Sequence, residues 1–241
     1  MQKYNLDLHI HSVLSPCADL QMTPANIIKK AEEINLDIIA ITDHNSAKNV
    51  KPALEIAESS KIIVIPGMEV ETSEEIHLLS FFPDLEKINK WEKIVYDNLP
   101  QVENDEEYFG YQIITNSEDE YIAKEERMLA TATNLSINQV VEKVREIGGF
   151  VIPSHIDRAY SIIKNLGFIP EELNFKVLEI SRNSDIEKFK IKFPFLDDYL
   201  LIKNSDSHYL DDIKIMSKIR VNKFNFDNLF NNLKCGNFIL N

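Results

Sequence analysis

DLHIHSVLSPC, residues 7 to 17, sets two histidines one residue apart directly behind a short apolar run, in a chain that has only six histidines. Tyr4 to Leu8 reads as a strand, and side chains two apart on extended backbone project to the same side. His9 and His11 therefore stand together at the strand's carboxyl end.

The other apolar runs repeat that arrangement. Thr23 and Pro24 read as the cap and first turn of a helix with Ile27, Ile28, Ala31 and Ile34 on one face. Asp37 to Thr42 (DIIAIT) is a second strand, hydrophobic enough to be buried on both faces. A helix through Pro52 to Ser59 follows, then IIVIP at 62 to 66 and IHLLSFF at 76 to 82 as two more strands. The order β-α-β-α-β predicts a parallel sheet with right-handed crossovers. Residues 84 to 130 break the rhythm: they are acidic, with a helix around Leu85 to Leu99 and a hairpin through YQIITN and DEYIA, and read as an inserted cap. The acids of EDEYIAKEE fit a solvated face. Regularity returns at Ser136 to Ile147, a helix opened by a Ser136/Gln139 capping box and closed by Gly148 and Gly149. FVIPSH, KVLEIS and YLLIKNSD supply three further strands, and a helix at 226 to 236 with FIL behind it closes the domain.

His44 ends the second strand in TDH, Glu69 and Glu71 follow the third in GMEVE, His155 ends the fifth in PSH, and Asp206 with His208 ends the seventh in SDSH. In α/β folds that is the face on which active sites are built. His77 is the exception, near the start of its strand, and a tight return would bring it to the same face. A lone histidine is more often a packing residue than a ligand, but none of the six lies between residues 78 and 154, and the joint pattern favours a metal site. Imidazoles mixed with carboxylates suit manganese, zinc or iron better than calcium. The donors exceed what one ion takes, which implies two or three.

Composition narrows the partners. A net charge of −13, from 39 acidic and 26 basic side chains, excludes a long electrostatic track for nucleic acid. Two cysteines are too few for a disulfide framework. No secretory signal or membrane span is evident, so a cytoplasmic protein is expected. Six glycines form no phosphate loop or dinucleotide fingerprint.

DLHIHS, AITDHN, PGMEV, a histidine in an apolar strand, PSH and NSDSH, in that order, resemble the PHP family, named for polymerase and histidinol phosphatase. The resemblance implies one α/β domain over residues 1–241, a distorted seven-stranded (β/α) barrel with the 84–130 insert. It also implies a cluster of up to three metals and phosphoester hydrolysis. His9, His11, Glu69 and Asp206 would hold one ion, Glu69, His77 and His155 a second, and His44 and His208 would contribute to a third. Family members commonly read HSxxSDG, whereas Pro16 occupies the Asp position here and the loop is three residues longer. Asp19 is the replacement ligand this suggests, Cys17 its rival, and packing alone the third option.

The expected chemistry is in-line attack by a metal-activated hydroxide near Glu69 and Asp206 on small phosphomonoesters or the ends of short oligonucleotides. Arg158 is placed to grip phosphate, with an ion pair to Asp157 as the alternative. Asn45 and Lys48 are further candidates for substrate contact, Asp43 for orienting an imidazole. Ser205 and Ser207 read as loop formers. Two rivals stand beside this reading: an amidohydrolase-type metal hydrolase, which would ask for a metal-bridging lysine, and a metal-stabilised binding module without catalysis.

Overall fold

The computed structural model describes residues 2–240. β1 (Gln2–Ile10) is buried from Leu6 onward. It leads to α1 (Pro24–Glu33), where the Thr23 side chain accepts the Asn26 N–H and Ile27, Ile28 and Ala31 turn inward. β2 (Ile38–Ile41), α2 (Val50–Ala57) and β3 (Ile63–Glu71) follow. β1, β2 and β3 are parallel neighbours, as the β-α-β-α-β order predicts. β3 runs on through GMEVE, so Glu69 and Glu71 lie within the strand rather than behind it.

Parallel pairing ends there. Residues 72–76 make a short return into β4 (His77–Phe81), antiparallel to β3, with Glu71 opposite His77. Five residues are too few for the crossover that a parallel partner needs. The reversal carries His77 to the end of the sheet where His9 and His44 lie.

α3 (Leu85–Asn98), capped by Asp84, buries Ile88, Trp91 and Val95. These share one hydrophobic cluster with Val140, Val141 and Val144, so α3 is part of the barrel's outer layer and the inserted segment begins after it. That segment holds α4 (Glu106–Phe109) and a hairpin of β5 (Ile113–Thr115) and β6 (Tyr121–Lys124). It is tied to the loop behind β1: Ile113 N–H donates to Val13 O, and the Asn49 side chain donates to Ile113 O and accepts from Thr115 N–H.

α5 (Ile137–Ile147) carries the capping box and ends at Gly148 in the left-handed region. β7 (Phe150–Pro153) pairs antiparallel with β4. Then come α6 (Ile162–Leu166), β8 (Val177–Ile180), α7 (Ile186–Lys192) and β9 (Leu200–Lys203), with β8 and β9 parallel. The sequence reading passed over β10 (Ser217–Val221), antiparallel to β1; α8 (Phe226–Lys234) and β11 (Phe238–Leu240) complete the chain. The main sheet has the order β11-β10-β1-β2-β3-β4-β7. β8 adjoins β7 through Ile156 N–H to Glu179 O, and the chain after β9 bridges back to β1 at Ile10 and Ser207. Strands β1, β2, β3, β4, β7, β8 and β9 thus surround one axis, a seven-stranded barrel distorted by its reversed fourth strand.

Leu6, Leu8, Ile38, Ala40, Ile65, Leu79, Ile152, Val177 and Ile202 fill the interior, and α8 seals one end with Leu229, Phe230 and Leu233. Each of those three contributes about 1.5–3 kcal/mol of burial. With that end closed, polar side chains collect at the other.

Candidate metal centre

Each donor reaches the open end by its own backbone route. His9 is the penultimate residue of β1, and His11 lies just past it, held by its N–H to Ser207 O. Asp206 and His155 occupy the left-handed region, φ 51° and 24°, where residues other than glycine are uncommon. Such backbone persists only where surrounding bonds hold it. Ser205 N–H to Asp7 on one side of Asp206, and His155 N–H to Glu179, are among those bonds.

His9 Nε2, His11 Nε2 and Asp206 Oδ1 form a triangle with edges of 3.1, 3.3 and 3.3 Å. Donor atoms about 2.1 Å from a shared ion, at angles of about 90–110°, stand about 3.0–3.4 Å apart, so the triangle has the dimensions of a coordination face. Glu69 lies beside it. Its Oε1 is 3.4 Å from His9 Nε2, 3.3 Å from His77 Nδ1 and 3.2 Å from His155 Nε2. Its Oε2 is 3.4 Å from His11 Nε2 and 3.3 Å from His44 Nδ1. Three groups have donor atoms within 4.8 Å of one another: His9, His11 and Asp206; His44, Glu69 and His77; His11, His44 and His208.

These residues fit a cluster of divalent cations. Glu69 Oε1 is buried and ringed by three imidazoles yet makes no hydrogen bond, and His77 Nδ1 likewise lacks a partner. Two Nε2 atoms facing each other at 3.1 Å can share only one proton. The donor set is arranged around positive charge rather than around protons.

A second layer fixes the rings. Glu179 accepts from His9 Nδ1 at 3.0 Å, and also from Asn204 and from the His155 N–H. Ser15 Oγ lies 2.9 Å from His11 Nδ1 and donates to Asp43, which also accepts from Ser12. Asp43 therefore orients His11 through Ser15, whose Oγ also accepts the His44 N–H. His208 Nδ1 lies 3.0 Å from Asp206 O, leaving Nε2 for a ligand, while Glu71 stands 3.6 Å from His77 Nε2. Glu179 is the residue that motif reading missed. Its signal was present: an acid inside the buried apolar run VLEI needs a partner of its own.

Burial alone would raise the Glu69 carboxyl, but the imidazoles of His9 and His77 hold it well below its ordinary value. Asp206 behaves alike, burial being overcome by His9 and His11. Burial would lower His9, yet Glu179, Glu69 and Asp206 hold it well above the usual imidazole value. His208, half-buried beside His11, drops to about 4 through desolvation and that neighbour's charge.

Other expected residues lie elsewhere. Asp19 belongs to none of the three groups; its carboxylate accepts the Gln21 N–H, because the longer loop turns it outward. Cys17 is exposed and belongs to none of the three groups. Both amide hydrogens of Asn45 go to Leu129 O and Thr131 O, and its Oδ1 accepts from Glu71 N–H, so it holds the inserted segment and has no hydrogen left for a substrate. Lys48 pairs with Glu125. Arg158 pairs with Asp206, not with Asp157, which instead accepts from Ser181 and Ser184. Ser205 and Ser207 bond to each other as loop formers.

The sequence pattern of the PHP domain matches residues 7–182. The chain belongs to the PHP domain family. Among relatives of this PHP-domain protein, the 5′-3′ exoribonuclease Rnm of Escherichia coli K12 is 33% identical over 84 residues, 33% of this chain and 28% of that one. The match thus takes in under a third of that relative's length. In structure, the lesion-specific endonuclease PfuEndoQ of Pyrococcus furiosus is similar at a TM-score of 0.69 and 18% identity, over 97% of this chain and 56% of the other. An amidohydrolase from Chromobacterium violaceum is similar at 0.60 and 17%, over 98% of both chains. At these identities the likeness is one of fold. Among the described residues no helix is long and apolar enough to cross a membrane.

Proposed function

We propose that the protein is a metal-dependent hydrolase of phosphate esters, acting on small phosphomonoesters or the ends of short oligonucleotides. The observation that carries this reading is Glu69, one carboxylate whose two oxygens face five imidazoles. His9, His11, Glu69 and Asp206 would hold one divalent ion, Glu69, His77 and His155 a second, with His44 and His208 available to a third. Bound manganese, zinc or iron would supply Lewis acidity toward a phosphoryl oxygen and lower the pKa of water.

The chain's own residues supply orientation and charge. Glu179 and Ser15 present His9 and His11 through Nε2. Asp206, with its carboxyl held low, stays ionised at neutral pH. Arg158, half-exposed beside Asp206, can turn its free guanidinium edge to a phosphoryl group. In a chain of net charge −13, attraction of an anion must be local. The names of its relatives, an exoribonuclease and an endonuclease, support ester bonds of nucleic acids or their fragments.

The test is phosphate release from nucleotides, nucleoside bisphosphates, histidinol phosphate and short RNA by manganese-loaded protein, with Asp206→Asn beside it. Turnover of at least one substrate, abolished in a variant that still folds, is expected. Failure on every substrate with metals fully loaded would leave the metal-stabilised binding module; cleavage of amides alone would favour the amidohydrolase reading.

A further inference from the structure

The barrel has a second concave feature, at the end sealed by α8. A cavity of about 310 Å³ is lined by Arg145, Phe150, Phe175, Lys176 and Lys234 among others, with no carboxylate in its lining. Two other clefts on the surface carry several: Asp19, Glu33 and Asp211 line one, Glu103, Glu125 and Glu126 the other. Among the described residues, none of the three cations is in an ion pair with a carboxylate. Arg145 is fixed by its Nη2, which donates to Leu173 O, and Lys234 Nζ lies 5.0 Å from the centre of the Phe150 ring. Phe175 is buried, and Phe150 is backed by Phe230 at 4.5 Å.

We propose that this cavity is a binding site for a small phosphate monoester, separate from the metal centre. Three cations without counter-charges, in a strongly acidic protein, suit a dianion. The guanidinium offers a planar fork to two phosphoryl oxygens, and the two ammonium groups act as point charges. The phenyl rings give an apolar wall for the organic part. A volume of about 310 Å³ sits at the small end of ligand pockets, the size of a mononucleotide rather than of a longer chain. β7 starts at this cavity with Phe150 and ends on the side of His155, a rise of about 10 Å at 3.3 Å per residue, so one phosphate cannot touch both sites.

Calorimetric titration of the full, metal-loaded Asp206→Asn chain with inorganic phosphate and with AMP tests the site without turnover, as a binding event additional to the one at the metal centre. AMP is expected to bind at least as tightly as phosphate. Adding Arg145→Gln and Lys176→Gln should weaken binding at least tenfold, whereas Arg145→Lys with Lys176→Arg should keep it within threefold. All three positions are exposed, and an unchanged melting curve will show that the variants fold. In the chain that retains Asp206, the double Gln variant should leave kcat at the metal centre unaltered. Undiminished binding in the double Gln variant overturns the site, and phosphate binding without AMP binding overturns its assignment to an ester.

Discussion

Glu179 on β8 receives the Nδ1 of His9 on β1 at 3.0 Å, across 170 residues of chain. The bond fixes which imidazole nitrogen faces the metal centre, and Glu179 also accepts from Asn204 and from the His155 backbone. One buried carboxylate therefore ties three of the structures that make the site.

Glu179→Gln keeps the shape of that anchor and removes its charge. Metal affinity should fall about 10- to 100-fold, the usual cost of disturbing a ligand's supporting partner. Chelator competition on the purified variant measures this. Affinity equal to that of the parent protein would show that Glu179 does not support His9.

Arg158→Gln removes the ion pair with Asp206 and the only arginine in contact with a member of the metal groups among the described residues. A charge-assisted hydrogen bond to phosphate is worth about 1.5–3 kcal/mol, so kcat/KM for a phosphomonoester should fall about 10- to 100-fold. Metal content should stay the same. If kcat/KM is unchanged, Arg158 serves Asp206 alone.

Metal-stripped protein should lose stability as pH rises from 7 to 9. Burial works against protonation of His77, but Glu69 and Glu71 raise it to about 10, and His9 is raised well above its ordinary value too. A histidine whose folded pKa exceeds its unfolded 6.5 stabilises fully below 6.5, and that contribution is lost as pH climbs through the folded value. Divalent cations bind neutral imidazoles, so saturating metal should reverse the trend. Thermal melts with chelator and with manganese report both slopes, and a metal-free Tm that rises over this range contradicts the charge assignment.

Gly110→Ala should unfasten the inserted segment. Gly110 has φ 102°, and a Cβ there would stand 2.1 Å from Pro16 O. The backbone must shift, at a cost of about 1–3 kcal/mol, and the loop of residues 12–16 loses its cover. A lower Tm with metal still bound is the expected result, and faster proteolysis between residues 100 and 130 should accompany it. A variant as stable as the parent would mean that the segment does not rest on Pro16.

The sequence by itself brought out the histidines and acids that the structure gathers at the open end, Asp19 apart, because strand alternation and apolar runs are local properties. The pair His9 and His11 needed only the period of two to be read as neighbours. The helix caps at Thr23 and Ser136 were legible for the same reason. Tertiary structure alone decided the rest. It reversed β4 and so brought His77 to Glu69, made α3 part of the core through Trp91, and paired β10, a run of only five residues, with β1 at the far end of the chain. It also took Asp19 and Asn45 out of the site and put Glu179 beneath it. Those outcomes depend on which buried polar atoms meet across long sequence distances: the apolar run VLEI shows that Glu179 needs a partner, and only the fold makes that partner His9, 170 residues away.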